Sequence, residues 1–347
     1  MKTIRVSAGK GYDIRIKRGS LAACGAAVRE VCGGSAVMLI SDASTAELYA
    51  AQAAESLSAA GYAVHQAVIP AGEESKNGQT FLQLLERCAE AELTRSDVVV
   101  ALGGGVIGDL AGFVAATYLR GVQLVQVPTT LLAMLDASVG GKTAIDLAAG
   151  KNLAGAFYHP ALVLCDPAAL DTLPAYALAD GLGEAVKYGM IREPSLLTSL
   201  HPGADPEPII ACCTAIKRDL VEMDATDHGE RQVLNFGHTV GHAIEALSGY
   251  AIGHGHAVAA GMAIITRAAE AQGDCEAGTA ALLTDALIRC GLPTGSDFTL
   301  EQLTERMQMD KKRSGAEITL IVPRRAGLCV RKTIPMTALA DYIRPGL

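Results

Sequence analysis

Residues 98–109 read VVVALGGGVIGD, a short valine-rich run followed at once by closely spaced glycines. Such a run, ended by turn residues, is typical of a strand that is buried on both faces of a parallel sheet. Patterns at 81–92 and 109–119 indicate helices on either side of it. Strands with the same properties are predicted at 37–40, 64–69, 98–102, 122–127 and 162–165. The alternation predicts a parallel α/β sheet with helices on its faces.

The glycines at the end of this strand form the pattern GxGxxG, as Gly103, Gly105 and Gly108. A pyrophosphate can approach bare backbone N–H groups at such a turn, where a helix begins. The structural alternative is close packing of strand against helix. Residues 120–123 read RGVQ where a Rossmann-like fold usually places its ribose-binding acid. A dinucleotide would therefore use the strands in an atypical way.

Two acids lie at strand ends upstream of the glycines, Asp42 in LISDAS and Glu73 in PAGEESK. Either position suits a carboxylate that binds a ribose hydroxyl. For Asp42 the alternative is an N-cap for a helix at 44–60, because Asp is a preferred N-cap residue.

The second half of the chain differs from the first, because strand-like runs become rare after residue 174. Length and pattern together predict an α/β domain over 1–174 and a mostly helical domain over 175–347. The Pro-rich stretch 201–208 is expected to be an irregular connection inside the second domain. Helices are predicted at 176–190, 209–223, 239–247 and 257–272, with a late pair of strands at 318–322 and 329–334.

The composition excludes several classes of protein. A formal net charge of −8 argues against nucleic acid or an anionic membrane as a partner, since both require a basic face. No stretch offers the roughly 20 apolar residues of a membrane span. Nine scattered cysteines lack metal-type CxxC spacing, so we expect reduced thiols in a cytoplasmic protein.

Residues 235–257, NFGHTVGHAIEALSGYAIGHGHA, contain four of the eight histidines. His238 and His242 are four residues apart and share a helix face, which is the arrangement of many zinc-binding pairs. A catalytic metal needs three protein ligands and an open position, so His254 or His256 would complete the site from the following loop. The alternative is a set of core histidines with satisfied hydrogen bonds.

Glu184 is a further candidate ligand. It lies in GLGEAVKYGM, an apolar helix of small residues where a lone carboxylate would be costly to bury. Lys187 follows one turn later on the same face.

Cationic and amide side chains lie beside glycine turns and predicted helix ends. In an acidic protein they indicate a small, doubly anionic substrate, although each alone could be a solvated surface residue. Together with a nucleotide and a metal, they indicate redox chemistry on a polyhydroxylated phosphate. The set is Arg120, Lys142, Lys151, Asn152, Lys217, Arg231, Lys311 and Lys312.

Longer motifs support a resemblance. VPTTLLAMLDASVGGKTAID (127–146), GKNLAGAFYHP (150–160), GLGEAVKYG (181–189) and LNFGHTVGHAIE (234–245) resemble the 3-dehydroquinate synthase family and follow its order from about residue 42 to 312. The resemblance implies a dehydroquinate synthase-like fold, in which 1–174 form an NAD-binding domain and 175–347 a metal- and substrate-binding domain. It implies bound NAD and one divalent metal, zinc or cobalt. It also implies a cytoplasmic homodimer, a lyase of the shikimate pathway that leads to chorismate and the aromatic amino acids.

Carried over by position, the resemblance assigns roles to individual residues. Glu184, His238 and His254 become the metal ligands, and His242 becomes an acid/base or hydrogen-bonding group on the substrate side. The implied substrate and catalytic residues are Asp136, Lys142, Lys151, Asn152, Lys187, Lys217, Arg231, Asn235, Lys312 and Arg120, the last from the neighbouring subunit. Lys311 is the alternative to Lys312. The implied NAD-binding residues are Asp42, Glu73, Lys76, Gly103, Gly104, Gly105, Val106, Asp109, Thr129, Thr130, Lys142, Lys151 and Thr172.

The chain departs from the family pattern at two positions. His256 stands where the family commonly has Glu, and Asp227 also replaces a Glu. The first departure bears on how the neighbouring His254 is oriented, and the second shortens a contact with a lysine.

The resemblance also implies a reaction. 3-Deoxy-D-arabino-heptulosonate 7-phosphate would be oxidised by NAD at a ring alcohol, which makes a neighbouring proton removable and allows phosphate to leave. Return of the hydride, ring opening and an internal aldol would give 3-dehydroquinate with no net redox change. The substrate's own phosphate is a candidate base for the proton.

Three alternatives remain. Another sugar phosphate cyclase, an inosose or valiolone synthase, would act on a substrate without a carboxylate. An NAD- and metal-dependent polyol dehydrogenase would accumulate NADH. A catalytically silent metal-binding protein would release no phosphate.

Overall fold

The computed structural model describes residues 1–224, 229–311 and 316–347, with the side chains of 310 and 311 left out of the description. The chain forms two compact units. The first comprises Met1–Leu173 and Pro206–Thr226, and the second comprises Pro174–Asp205 and Asp227–Leu347.

The first unit contains most of the strands, and the second contains most of the long helices. The strands are β1 (Lys2–Val6), β2 (Tyr12–Ile16), β3 (Ala36–Asp42), β4 (Ala63–Ile69), β5 (Val98–Gly103), β6 (Gln123–Pro128), β7 (Lys142–Leu147), β8 (Gly150–Phe157), β9 (Leu162–Cys165), β10 (Glu317–Arg325) and β11 (Leu328–Pro335). The α-helices are α1 (Cys24–Val31), α2 (Ala43–Thr45), α3 (Ala51–Ala59), α4 (Gly78–Glu90), α5 (Gly105–Thr117), α6 (Ala175–Ile191), α7 (Leu196–Ser199), α8 (Pro206–Met223), α9 (His238–Leu247), α10 (His254–Ala271), α11 (Thr279–Arg289), α12 (Leu300–Lys311) and α13 (Leu339–Ile343).

A seven-stranded sheet, in the order β1-β2-β9-β6-β5-β3-β4, forms the core of the first unit. Its pairs are parallel except β1 with β2. All residues of β5 are buried, and they alternate between two apolar clusters. Val98, Val100 and Leu102 belong to one cluster, and Val99 and Ala101 to the other. The alternation places one cluster on each face of the sheet, as the valine-rich run predicted.

The parallel α/β sheet is confirmed, and all five predicted strands are present as β3, β4, β5, β6 and β9. The prediction missed the hairpin β1–β2 and the two-stranded sheet β7–β8. The two N-terminal strands each carry two charged residues, and β8 contains two glycines, so none of them forms a continuous apolar run. Alternation with period two was the signal that applied to β2, where Tyr12, Ile14 and Ile16 are buried.

The second unit is built on α6, α9 and α10. The predicted late pair of strands is present as β10 and β11, which pair antiparallel. Glycines allow the three helices to approach closely. A Cβ at Gly255 would lie 1.8 Å from the carbonyl oxygen of Asp180, and a Cβ at Gly261 would lie 2.2 Å from that of Gly237. Because the backbones are this close, side chains from different helices can meet within one small volume.

The division of the chain differs from the predicted boundary in one helix. The first unit ends at Leu173, close to the expected 174, but α8 belongs to the first unit although it was assigned to the second domain. It contacts β1 and β2, and Glu222 accepts a hydrogen bond from the backbone N–H of Ser7 at 2.5 Å. The stretch 201–208 therefore includes the passage between units, which the prediction excluded. An amphipathic pattern shows that a helix packs, but not against which partner.

Within the described residues, no helix combines the length and the apolar character that a membrane crossing requires.

Candidate metal and nucleotide sites

The first candidate site lies in the second unit, where Glu184, His238 and His254 converge from α6, α9 and α10. One ligand atom of each lies within 4.8 Å of the others. His254 is the first residue of α10, which begins three residues before the predicted helix at 257. It therefore reaches the site from a helix, and the expectation of a loop ligand is wrong. The glycine contacts described above permit this convergence.

The distances fit a divalent ion. Glu184 Oε1 lies 3.7 Å from His238 Nε2 and 3.5 Å from His254 Nε2, both longer than a good hydrogen bond. Oε1 is buried, and no described residue donates a hydrogen bond to it. Three atoms that each lie about 2.1 Å from a tetrahedral ion are roughly 3.4 Å apart. The residues present thus fit a metal with two imidazole ligands and one carboxylate ligand.

The environment orients the two imidazoles. His238 Nδ1 lies 3.1 Å from the carbonyl oxygen of Phe236, which can only accept, so Nδ1 carries the proton and Nε2 is left as a ligand. Burial lowers the pKa of His238 well below its usual value, and the Lys187 cation adds to this effect. A neutral imidazole is the form that binds metals.

His254 has the opposite electrostatic environment. Burial lowers its pKa, but attraction to Glu184 and Glu245 outweighs burial and raises the pKa to about 10. In the metal-free protein the two carboxylates therefore favour a positive charge on His254. The same negative potential would also attract a metal cation.

Glu184 divides its two oxygens between different neighbours. Oε2 contacts the Lys187 ammonium, one turn later on α6, whereas Oε1 faces the histidines. Both side chains are almost fully buried. The shared face predicted from their spacing is thus observed as a direct ion pair.

Glu245 was missed by the sequence analysis. It is buried on α9, and its Oε1 lies 3.4 Å from His254 Nδ1. His238, His242 and Glu245 are spaced i, i+4 and i+7, so the argument that paired the two histidines would have found Glu245 one step further on. His242, Glu245 and His254 form a second group that could hold an ion, while His242 is absent from the first group.

A pocket of about 320 Å³ adjoins the candidate metal ligands in the second unit. Three predicted residues line it, namely Asn235, His238 and His242, and Gln232 and Thr239 add further polar groups. Arg231, which precedes Gln232 in a 3₁₀ turn, is buried at 1% exposure. Imidazole, amide and hydroxyl groups therefore face space beside the candidate metal site.

The second candidate site is the glycine turn of the first unit. A Cβ at Gly103 would lie 2.7 Å from Ile107, and one at Gly108 would lie 2.8 Å from Gln126, so close packing explains these two glycines. At Gly104 and Gly105 the nearest atoms are 3.2 and 3.5 Å away. Gly105 begins α5 and Val106 follows it, which leaves bare N–H groups at the start of a 13-residue helix.

Lys76 is the centre of a charged network beside this turn. It is 4% exposed, and its Nζ lies 3.1 Å from both Glu73 Oε1 and Asp109 Oδ2 and donates to Asn152 Oδ1 at 2.7 Å. Burial lowers the pKa of Lys76, but Asp109, Glu73 and Asp146 outweigh it, and the pKa is raised. The structure thus brings together four residues that the resemblance assigned to cofactor or substrate.

The carboxylates of this network differ in their electrostatics. Burial raises the pKa of Asp109 to about 6, against the attraction of Lys76. Burial also acts to raise the pKa of Glu73, but Lys76 and Lys151 outweigh it, and the pKa is lowered. Lys151 Nζ lies 3.3 Å from Glu73 Oε1.

Asp146 was missed by the sequence analysis although it ends the quoted run GGKTAID. Its Oδ1 accepts the backbone N–H of Asn152 at 2.8 Å, and its own N–H donates to the carbonyl of Lys76 at 2.8 Å. Asn152 has φ 56°, a left-handed conformation that Asn tolerates better than most residues. Asp146 therefore holds the turn that presents Lys151 and Asn152.

Asp42 caps the helix that follows it. Its Oδ1 accepts the backbone N–H of Thr45 at 2.9 Å, and Oδ2 accepts the Thr45 hydroxyl at 3.0 Å. The structural alternative to ribose binding is thus observed in this structure. Each oxygen thus accepts one hydrogen bond within the cap, and because a carboxylate has about four lone-pair sites, capping does not exclude a ribose hydroxyl.

The other predicted nucleotide-binding residues lie at the ends of strands or in turns of the first unit. Thr129 and Thr130 follow β6, and the N–H of Thr129 donates to the carbonyl of Gly103 at 3.0 Å. Thr172 closes a 3₁₀ turn, and its hydroxyl contacts that of Tyr49. Thr129 is therefore hydrogen-bonded to the glycine turn itself.

Two further predicted residues of the first unit are in direct contact. Asp136 lies in a π-helical turn at Ala133–Ala137, and the Lys217 ammonium of α8 contacts its carboxylate and donates to its carbonyl oxygen at 2.6 Å. Lys142 is exposed at the start of β7.

Arg120 lies in a strained segment. Leu119 and Arg120 have φ values of 48° and 67°, a region that non-glycine residues avoid, and Gly121 follows at 121°. Consecutive strained residues are more common at functional sites than elsewhere.

The remaining predictions, Lys312 and the departure at Asp227, lie outside the described residues.

Solved structures with a similar fold define the class of protein. A 2-deoxy-scyllo-inosose synthase complexed with carbaglucose-6-phosphate, NAD⁺ and Co²⁺ is 26% identical with a TM-score of 0.89 over 100% of both chains. A 2-epi-5-epi-valiolone synthase from Streptomyces hygroscopicus with NAD⁺ and Zn²⁺ bound is 26% identical with a TM-score of 0.87 over 99% of both. A probable glycerol dehydrogenase from Sinorhizobium meliloti, 16% identical with a TM-score of 0.65, shares the fold alone. The class is that of the sugar phosphate cyclases.

Family models narrow the class. The N-terminal model of 3-dehydroquinate synthase matches residues 66–180, and the C-terminal model matches 181–313. The 3-dehydroquinate synthase of Clostridium acetobutylicum is 40% identical over 99% of both chains. That of Enterococcus faecalis is 42% identical over 96% of this chain and 95% of its own. The chain belongs to the 3-dehydroquinate synthase family.

Proposed function

We propose that this chain is a 3-dehydroquinate synthase, a lyase that converts 3-deoxy-D-arabino-heptulosonate 7-phosphate to 3-dehydroquinate and phosphate. The observation that carries the proposal is the convergence of Glu184, His238 and His254 in a chain whose relatives of that name match it at about 40% identity over nearly its whole length. The reaction belongs to the shikimate pathway, which supplies chorismate and the aromatic amino acids.

The proposed cofactors are NAD and one divalent metal, zinc or cobalt. Support comes from the two cyclase structures, which contain NAD⁺ with Co²⁺ or Zn²⁺, and from the fit of the three ligand atoms to an ion. When bound, the metal would supply Lewis-acid polarisation of the substrate hydroxyls, and NAD would accept a hydride and return it.

The residues of the second unit would bind and orient the substrate. Glu184, His238 and His254 would hold the ion, and Lys187 contacts Oε2 of Glu184, which leaves Oε1 facing the histidines. In the adjoining pocket, His242 can exchange a proton with a hydroxyl, and Asn235 can fix a hydroxyl by hydrogen bonds. Arg231 supplies a guanidinium suited to a carboxylate.

The residues of the first unit would bind the nucleotide and the phosphate. The N–H groups at the start of α5 suit a pyrophosphate, and the Lys76 network supplies carboxylates suited to ribose hydroxyls. Lys142, Lys151 and Asn152 would bind the leaving phosphate and stabilise charge as it departs. Lys217, which donates a hydrogen bond to the carbonyl oxygen of Asp136, is a further proposed substrate-binding residue.

Arg120 and Lys312 complete the proposed set, with Arg120 reaching the substrate of a neighbouring subunit. This role for Arg120 requires a homodimer. Both the homodimer and its cytoplasmic location are predictions from the resemblance. Light scattering of the purified protein would test the dimer, and cell fractionation would test the location.

The experiment combines purified protein, NAD and the heptulosonate phosphate, and follows phosphate, 3-dehydroquinate and NADH. We expect phosphate and product in equal amounts, no lasting NADH, and loss of both products after chelation with recovery on adding Zn²⁺ or Co²⁺. Lys142→Ala should reduce phosphate release by about 100-fold or more, as loss of a charge-stabilising group does. Lys2→Ala, a change on the exposed first strand, is the matched control.

The rival functions give different results. Lasting NADH without phosphate release would indicate a polyol dehydrogenase. Turnover of sugar phosphates that lack a carboxylate, with none of the heptulosonate phosphate, would indicate another cyclase, an outcome that the similarity to inosose and valiolone synthases makes worth testing. Full turnover by rigorously metal-free protein would refute the role of Glu184 and the histidines.

A further inference from the structure

Tyr176 and Asp180 lie on α6 at one-turn intervals before Glu184, so the three side chains follow one face of the helix. Asp180 Oδ1 lies 3.0 Å from the backbone nitrogen of His256 and 2.9 Å from its Nδ1. Because a carboxylate only accepts, the backbone N–H and the imidazole Nδ1–H both donate to Asp180.

A second set of contacts holds the same segment. The imidazole of His256 stacks on the ring of Tyr176, with centroids 4.0 Å apart and an interplanar angle of 11°. The backbone N–H of Gly253 donates to the Tyr176 hydroxyl at 2.7 Å. Residues on both sides of His254 are therefore anchored to α6, the helix that carries Glu184.

We propose that Asp180 and His256 are a positioning pair for the metal ligand His254. The inference rests on the proposed metal site. His254 is the first residue of α10, and the ends of helices fray unless they are held. The anchors at Gly253 and His256 fix the backbone of His254, so that its Nε2 stays directed at Glu184 Oε1.

The partner on α6 determines which residue works at position 256. In this chain a Glu side chain at position 256 would place a second carboxylate next to that of Asp180. Like charges at such a separation repel strongly, especially where both side chains are mostly buried. The histidine is therefore matched to Asp180, and a carboxylate at position 256 should be worse here than a neutral hydrogen-bonding side chain.

The test measures the affinity of the full-length protein for Zn²⁺ and Co²⁺ by competition with a chelating indicator, together with the visible spectrum of the Co²⁺ form. Asp180→Ala should weaken metal binding by about 10-fold, the lower end of the effect of removing a residue that orients a ligand. Asp180→Asn, which keeps one acceptor oxygen, should weaken it less.

Substitutions at position 256 test the matching of the pair. His256→Glu should weaken metal binding more than His256→Gln, and adding Asp180→Ala to His256→Glu should restore part of the loss. The Co²⁺ spectrum should shift in His256→Glu as the geometry at His254 changes. If His256→Glu fails to fold, comparison of His256→Gln with Asp180→Asn still measures the pair.

Controls separate this inference from the metal site and from a purely structural role. Asp341→Ala removes an exposed ion pair of the same unit and should leave metal affinity unchanged. Glu184→Gln should abolish tight binding. If the unsubstituted protein binds no better than Glu184→Gln, both the metal site and the inference are overturned. If it binds tightly but the variants at 180 and 256 only lower the thermal midpoint of the metal-free protein, the inference alone is overturned.

Discussion

Asp109→Asn should stabilise the NAD-free protein, although Asp109 is proposed to serve the cofactor. The Asp109 side chain is 22% exposed, and burial raises its pKa from 3.8 to about 6, against the attraction of Lys76. Ionised Asp109 is thus less favourable in the folded than in the unfolded state. A shift of about 2 pKa units corresponds to about 3 kcal/mol, an upper value because the side chain is partly exposed.

The sign and the pH window follow from these values. Above pH 6 the carboxylate is ionised in both states, and the folded state carries the whole penalty. Between pH 6 and 3.8 the folded protein binds a proton that the unfolded chain does not, so the penalty falls, and below 3.8 it vanishes. Asparagine imitates the neutral acid, so the gain should be at most about 3 kcal/mol at pH 7.5 and roughly half of that at pH 5.

The assay is urea unfolding of the NAD-free protein at both pH values, with the free energy of unfolding taken by linear extrapolation. Glu55→Gln, at an exposed position on α3 of the same unit, is the matched control and should change stability by less than about 0.5 kcal/mol. NAD affinity of Asp109→Asn should fall. A destabilised variant, or a gain of equal size at both pH values, would refute the reasoning.

Three further perturbations have definite expected results. Gly255→Ala should lower the free energy of unfolding by about 3 kcal/mol or more in denaturant titrations, because the new Cβ would meet the Asp180 carbonyl at 1.8 Å, whereas Gly295→Ala, whose nearest atom is 3.9 Å away, should be nearly neutral. Zinc at 100 times its dissociation constant should add about 2.7 kcal/mol to the stability of the metal-free protein, and calorimetry should show no such gain for Glu184→Gln. Lys76→Met should cost about 3 to 5 kcal/mol, because it leaves the surrounding carboxylates without their buried cation, and a loss below 1 kcal/mol in urea unfolding would contradict that ion-pair network.

The sequence was sufficient to predict those strands and helices whose pattern of apolar residues indicates which positions are buried. The strand at 98–102 could be predicted because it is buried on both faces of a parallel sheet. Such a strand is apolar at every position, and its sequence therefore reads as a continuous apolar run. The hairpin of Lys142–Leu147 with Gly150–Phe157 was not predicted, since a partly exposed two-stranded sheet needs no continuous apolar run.

The candidate site shows a similar division. The spacing of His238 and His242 placed two imidazoles on one helix face, but which of them joins Glu184 depends on how α6, α9 and α10 pack. The spacing of residues along a helix predicts which side chains share a face, but it does not predict which other helix packs against that face. The resemblance supplied the set that the structure brings together, and neither source revealed Glu245.

The chain passes through the first unit between its proposed metal ligands, because Glu184 precedes α8 whereas His238 and His254 follow it. During synthesis a nascent chain that has reached residue 205 carries a single member of the set, and the trio is complete only once residue 254 has emerged. During synthesis, an ion held by all three proposed ligands would therefore bind after every strand of the seven-stranded sheet has been made, and it would not template the early stages of folding on the ribosome.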